Sequence, residues 1–194
     1  MRTEIRIVEE ASQPLAMNPK KFALWIFLVS VCMIFAGLTS AYMVRQAAGN
    51  WLVFELPDSF WVTTAIILLS SATMHWAYYS AKKDDLEMSK LAISITTLLG
   101  IAFLVGQVLA WGDLVKNRIH FSGGNPSASF VYVLSGVHMA HIIGGIVFLV
   151  IVLVATFRFK VHSRSMSQIE MCATYWHFLG GLWVYLFVFL LLNR

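Results

Sequence analysis

Three histidines lie inside long apolar runs, and they are the side chains of this sequence best equipped for chemistry. His138 and His141 occur in Gly136-Val137-His138-Met139-Ala140-His141, and His177 occurs in Tyr175-Trp176-His177-Phe178. An ionisable side chain inside an apolar span is costly, so it is expected to face protein or water rather than lipid. His138 and His141 are three residues apart and share a helix face, which Leu134 and Gly145 continue. Glu170, Thr174, His177 and Gly181 follow at spacings of four, three and four and make one face of the next run. A polar stripe on each of two consecutive helices is expected to meet its counterpart away from lipid. Three chemistries fit such stripes. Imidazoles on facing helices ligate a haem or another metal; histidine, which titrates near neutral pH, relays protons; or buried hydrogen bonds hold the helices together. Depth along the helices leaves open whether His138 or His141 touches His177.

The elements that must carry these residues are membrane spans. The 194-residue chain is 59% hydrophobic and 12% charged, against about 25% charged for a soluble domain. Crossing the hydrocarbon layer takes about 20 helical residues. Five runs supply them, at 22–44, 58–81, 91–111, 128–157 and 171–192. The expected fold is an all-α integral membrane protein with five transmembrane helices in a bundle. A polar arm covers 1–21 and one membrane domain covers 22–194. The arm has no apolar core ahead of Phe22 and does not read as a cleaved signal peptide. Pro14 and Pro19 are expected to break helix ahead of the first span. Ten of the 14 Lys and Arg residues fall on one side: Arg2, Arg6, Lys20, Lys21, Lys82, Lys83, Lys90, Arg158, Lys160 and Arg164. The positive-inside rule then makes the N-terminus cytoplasmic and the C-terminus external. The net charge of +4 follows from this asymmetry and calls for no nucleic-acid partner.

Other residues are read in that frame. Trp25, Trp61, Trp76 and Trp111 fall near span ends, where the amphipathic ring prefers the interface. Cys32 and Cys172 lie in different spans with no CxxC, which points to buried packing rather than a disulfide or thiolate site. Ala36/Ser40, Gly37/Ala41 and Ala140/Gly144 are small pairs at the spacing that lets helix backbones approach. Ser70, Ser71 and Thr73 can bond across helices or back to carbonyls. His75, beside Trp76, reads as an interfacial histidine, and His120 as a loop residue. Arg158, Lys160 and His162 form a basic cluster past the fourth span, where anionic lipid headgroups are met; plain positive-inside topology accounts for it equally well.

Taken together, five spans with Gly136-x-His138-x-x-His141-x-x-Gly144 and Tyr175-Trp176-His177-Phe178…Trp183 resemble subunit III of the haem–copper oxidases (cytochrome c oxidase subunit III), in the short, five-helix bacterial form. Ser70-Ser71-x-Thr73 and Gly100-x-x-Phe103-x-x-x-Gln107 are similar to that family's second- and third-helix signatures, and the resemblance covers residues 20–194. It implies an accessory subunit of a respiratory terminal oxidase in the bacterial inner membrane, which reduces oxygen to water while translocating protons. No catalytic residue and no metal site are then expected in this chain; haem and copper belong to partner subunits I and II. Bound phospholipid, support of proton uptake, and membership of a larger assembly with a further small subunit or a supercomplex are implied as well. His138, His141, Glu170, Tyr175, Trp176 and His177 become structural motif residues. Arg158, Lys160 and His162 fall where the family binds lipid headgroups, with Arg158 and His162 one residue closer together than usual. Three carboxylates common in the family are replaced, by Val31, Ala110 and Gly180, which implies a more purely structural member. Cytochrome c is the expected electron donor. The alternatives are a quinol oxidase subunit or the homologue that accompanies nitric oxide reductase. From another class, a haem-binding anchor would use His138 or His141 with His177 as axial ligands. A small transporter is disfavoured by the scarcity of span carboxylates and by the absence of a Gly/Pro-broken helix pair.

Overall fold

The structure, a computed structural model, describes residues 18–121, 125–157 and 166–193. It contains five helices: α1 (Pro19–Ala47), α2 (Ser59–Lys82), α3 (Leu86–Lys116), α4 (Pro126–Phe157) and α5 (Ser167–Leu192). All five are long and apolar enough to cross a membrane. The five apolar runs therefore correspond one to one with helices, and side-chain caps start α1 and α3 ahead of their apolar runs. Asp85 accepts a hydrogen bond from the Met88 amide at 3.2 Å, so α3 starts five residues before the apolar run at residue 91. Asp84 makes the tight α2–α3 turn at φ +58°, a conformation Asp tolerates better than most residues.

Pro19 does the opposite of what its residue type led us to expect. It is the first residue of α1, and Asn18 caps the helix by accepting from the Lys20 amide at 3.0 Å. At that position the missing N–H costs nothing and the fixed φ suits the helix.

Helices α2 and α3 form a close antiparallel hairpin. α4 packs on α3, and α5 closes the group against α2 and α4. α1 lies against α4 and α5 and is held at both ends. At one end Lys21 Nζ meets Glu170 Oε2 at 2.7 Å. At the other, Tyr42 Oη and Gln46 Nε2 both donate to the Asn193 carbonyl at 2.9 Å. The small pairs do not mediate these contacts. Ala36, Gly37, Ser40, Ala41, Ala140 and Gly144 are exposed, and a Cβ added at Gly37 would meet nothing within 4 Å. Close approach occurs instead at Gly100, Gly106 and Gly145. Cys172 is buried as expected, whereas Cys32 lies on the outer surface of α1. Spacing identifies a helix face, but it does not say which neighbour that face meets.

Candidate functional site

Two tryptophans of α5 organise the centre of the bundle. Trp176 is 1% exposed, and its Nε1–H donates to Ser70 Oγ of α2 at 3.0 Å. Ser70 Oγ in turn donates to the Thr96 carbonyl of α3 at 3.3 Å. The benzo ring of Trp176 runs between two glycines. A Cβ on Gly100 of α3 would lie 2.7 Å from Cη2, and one on Gly145 of α4 would lie 3.1 Å from Cζ3. One side chain thereby ties α5 to three other helices, and only glycine leaves it room on both sides.

Seven residues on, Trp183 is fully enclosed and donates to Thr64 Oγ1 at 3.0 Å. His138 stacks on it, with ring centroids 5.2 Å apart and planes at 29°. Phe103 contacts His138 edge-on at 5.9 Å, and Phe35 of α1 does so at 6.3 Å. His138 has no exposed surface, and neither ring nitrogen has a hydrogen-bond partner among the described residues. Beside this group, Gln107 donates through Nε2 to Thr63 Oγ1 at 3.0 Å, while its buried Oε1 has no partner among the described residues. The imidazole of His138 is thus held by aromatic packing rather than by the hydrogen bonds expected of it.

The two other motif histidines do different things. His141 Nδ1 lies 2.8 Å from the Val137 carbonyl; a carbonyl can only accept, so Nδ1 carries the proton. The His141 carbonyl receives the Tyr175 hydroxyl at 3.1 Å. His177 faces α2, where its Nδ1 is 2.5 Å from Ser71 Oγ and its ring 6.0 Å from that of His75. The stripes of α4 and α5 therefore do not meet. His138 sits level with Trp183, which is six residues, or about 9 Å of helix, from His177. Pairing His138 or His141 with His177 across a haem is not the arrangement these helices make. Among the described residues, no group of three or more His, Cys, Asp and Glu is placed to hold a metal ion.

Glu170 serves as the partner of Lys21, and Thr174 bonds back to the Glu170 carbonyl at 2.8 Å. Val31, Ala110 and Gly180, the three positions expected to lack a family carboxylate, are all buried. Arg158, Lys160 and His162 lie outside the described residues. The residue missed from the sequence is His75, read there as an interfacial histidine beside Trp76. Its signal was the Ser71/His75 spacing of four, which puts both on the side of α2 that His177 approaches. Between α1, α4 and α5 lies an apolar cavity of about 290 Å³, lined by Leu24, Phe27, Gly144, Phe148 and Tyr175.

Comparison with known proteins adds the context of this arrangement. The family described as "Cytochrome c oxidase subunit III" matches residues 9–193. The chain is similar to the cytochrome bo(3) ubiquinol oxidase subunit 3 of Buchnera aphidicola, with 29% identity over 181 residues that cover 91% of this chain and 95% of that one. It is similar to the cytochrome c oxidase subunit 3 of Corynebacterium diphtheriae, with 29% identity covering 84% of this chain and 82% of that one. It is also similar to the probable cytochrome c oxidase subunit 3 of Nocardia farcinica, with 31% identity and the same coverage of 84% and 82%.

Proposed function

Because the chain belongs to the cytochrome c oxidase subunit III family, we propose that it is the accessory third subunit of a bacterial aerobic terminal oxidase, with cytochrome c as the electron donor. A member of this family is a subunit of a haem–copper oxidase complex, an oxidoreductase with further subunits. Relatives named for cytochrome c and for quinol both resemble this chain, so a quinol oxidase is the second reading. The homologue accompanying nitric oxide reductase is a third. Haem and copper in partner subunits I and II supply the reduction of oxygen to water and its coupling to proton translocation.

The contribution of this chain is a scaffold. The observation that carries this reading is the Trp176–Gly100–Gly145 lock with the neighbouring Trp183–His138 stack. Trp176, Trp183 and His138 are enclosed and hold the helices at fixed distances. His141, Tyr175 and Glu170 link α4 and α5 to each other and to α1, a frame against which subunit I can be held during turnover. The cytoplasmic end is the one carrying Lys21, Lys82 and Lys83, and the C-terminus is external. The cavity between α1, α4 and α5 suits a phospholipid acyl chain, and the family resemblance makes Arg158, Lys160 and His162 the candidates for binding a lipid headgroup.

Affinity purification through a tag on this chain, in mild detergent from its host membrane, tests the reading. Haem-bearing partners are expected to co-purify and to oxidise reduced cytochrome c, and the chain stripped of partners is expected to show no Soret band. A redox-active haem retained by the isolated chain would overturn the scaffold in favour of a haem-binding anchor. Oxidation of quinol but not of cytochrome c would select the second donor.

A further inference from the structure

His75 and His177 lie on a part of the bundle surface where lipid is a poor neighbour. His75 is exposed, and His177 is half-buried beneath it with Ser71 on its Nδ1. Each lies seven residues inside the nearest charged residue of its own helix, Lys82 for His75 and Glu170 for His177. At the helical rise, that is about 10 Å toward the membrane centre. Acyl chains offer no hydrogen bond at that depth, and intramembrane ionisable groups face protein or water instead. The outward faces of α3 and α4 are different in kind: they present Leu98, Val105 and Leu109, and Val147 and Ile151, which suit acyl chains.

The surroundings of the two imidazoles are shaped for a helix. Ala72 and Gly181 are exposed beside them, and a Cβ on Gly181 would meet nothing within 4 Å. Small residues of this kind let a second backbone approach closely. Along α5 the surface continues into a groove of about 460 Å³, lined by Gly181, Val184, Tyr185 and Val188 among others. In a membrane helix the backbone groups are already paired internally. A helix that answers the imidazoles must therefore do so with a side chain.

We propose that the α2–α5 face around His75 and His177 docks a transmembrane helix of the haem-bearing oxidase subunit, which brings a polar side chain to the two imidazoles. This rests on the family reading, which supplies membrane partners. Photocrosslinking with p-benzoylphenylalanine tests it in the host membrane with the full chain. The amino acid replaces Leu68 or Tyr79, which are 51% and 53% exposed on the outer side of α2. Leu98 and Ile151, 66% and 57% exposed on α3 and α4, serve as comparison positions. Irradiation is expected to join a haem-bearing oxidase subunit to positions 68 and 79, and lipid alone to positions 98 and 151. The reverse pattern would refute this face while leaving the subunit reading intact, and a conjugate of two copies of this chain at 68 or 79 would refute it in favour of self-association. A chain that joins no other subunit from any position and purifies alone would overturn the subunit reading as well. In parallel, His75→Leu combined with His177→Leu is expected to reduce the co-purified subunit by about tenfold, the weight of two interhelical hydrogen bonds. Undiminished recovery with the double variant correctly inserted would count against the imidazoles as the docking contact.

Discussion

Replacing Gly100 with alanine places a methyl carbon 2.7 Å from Cη2 and 3.0 Å from Cζ2 of Trp176. Carbon atoms need about 3.5–4.0 Å for favourable contact. Trp176 cannot recede. Its Nε1–H is held by Ser70 at 3.0 Å, and its other edge already lies where a Cβ on Gly145 would be 3.1–3.2 Å away. Overpacking of this kind costs about 1–3 kcal/mol, and losing the Ser70 hydrogen bond adds about 1 kcal/mol. Exchanging glycine for alanine in a helix returns about 1 kcal/mol. The expected net loss for Gly100→Ala is thus about 1–3 kcal/mol. Gly37→Ala is the internal control: with no atom within 4 Å of the added methyl, it should keep the helix gain of about 1 kcal/mol. Unfolding by SDS in mixed micelles, followed by tryptophan fluorescence and far-UV circular dichroism, measures both variants on one scale. Gly145→Ala should fall between them, because its closest contacts are 3.0–3.2 Å rather than 2.7 Å. Gly100→Ala as stable as Gly37→Ala would refute the wedge.

The remaining predictions use the same assay or a simple chemical one. His138→Phe should be neutral or stabilising by about 1 kcal/mol, because it removes two buried nitrogens that have no partner among the described residues; a loss larger than that would reveal a hydrogen bond to the ring. Trp183→Phe should cost about 1–3 kcal/mol, from the lost bond to Thr64 and a smaller ring against His138 and Phe103. Lys21→Ala should cost less than about 1 kcal/mol, because the Lys21 and Glu170 side chains are 36% and 43% exposed, and the small loss should vanish at high salt. N-ethylmaleimide should leave both cysteines of the folded protein in its membrane unmodified, because Cys32 faces acyl chains midway along α1 and Cys172 is buried, and should label both after denaturation, which mass spectrometry of the chain resolves.

Much of this protein is determined by its sequence alone. Five long apolar stretches are expected to become helices in a membrane, because a backbone in hydrocarbon has to pair within itself. The excess of Lys and Arg in alternate loops and the order of motifs along the spans were legible for the same reason: they are properties of a linear chain. Pro19 was misread because a proline's effect depends on whether it falls inside a helix or at its first residue, and the Asn18 cap decides that. The faces of the helices were only half legible. In a soluble protein the polar side of a helix shows which side is buried, but a membrane helix is apolar toward lipid and toward its neighbours alike, so that contrast is lost. Spacing put His138 with His141, and Glu170 with His177, on shared faces, yet it could not rotate α4 and α5 to show that His138 meets Trp183 while His177 meets Ser71 and His75. The small pairs on α1 looked like contact sites and face outward, while Gly100 and Gly145, 45 residues apart, close on the two edges of Trp176. Those pairings are contacts between distant segments, set by which side chains fill which gaps, and only tertiary packing decides them.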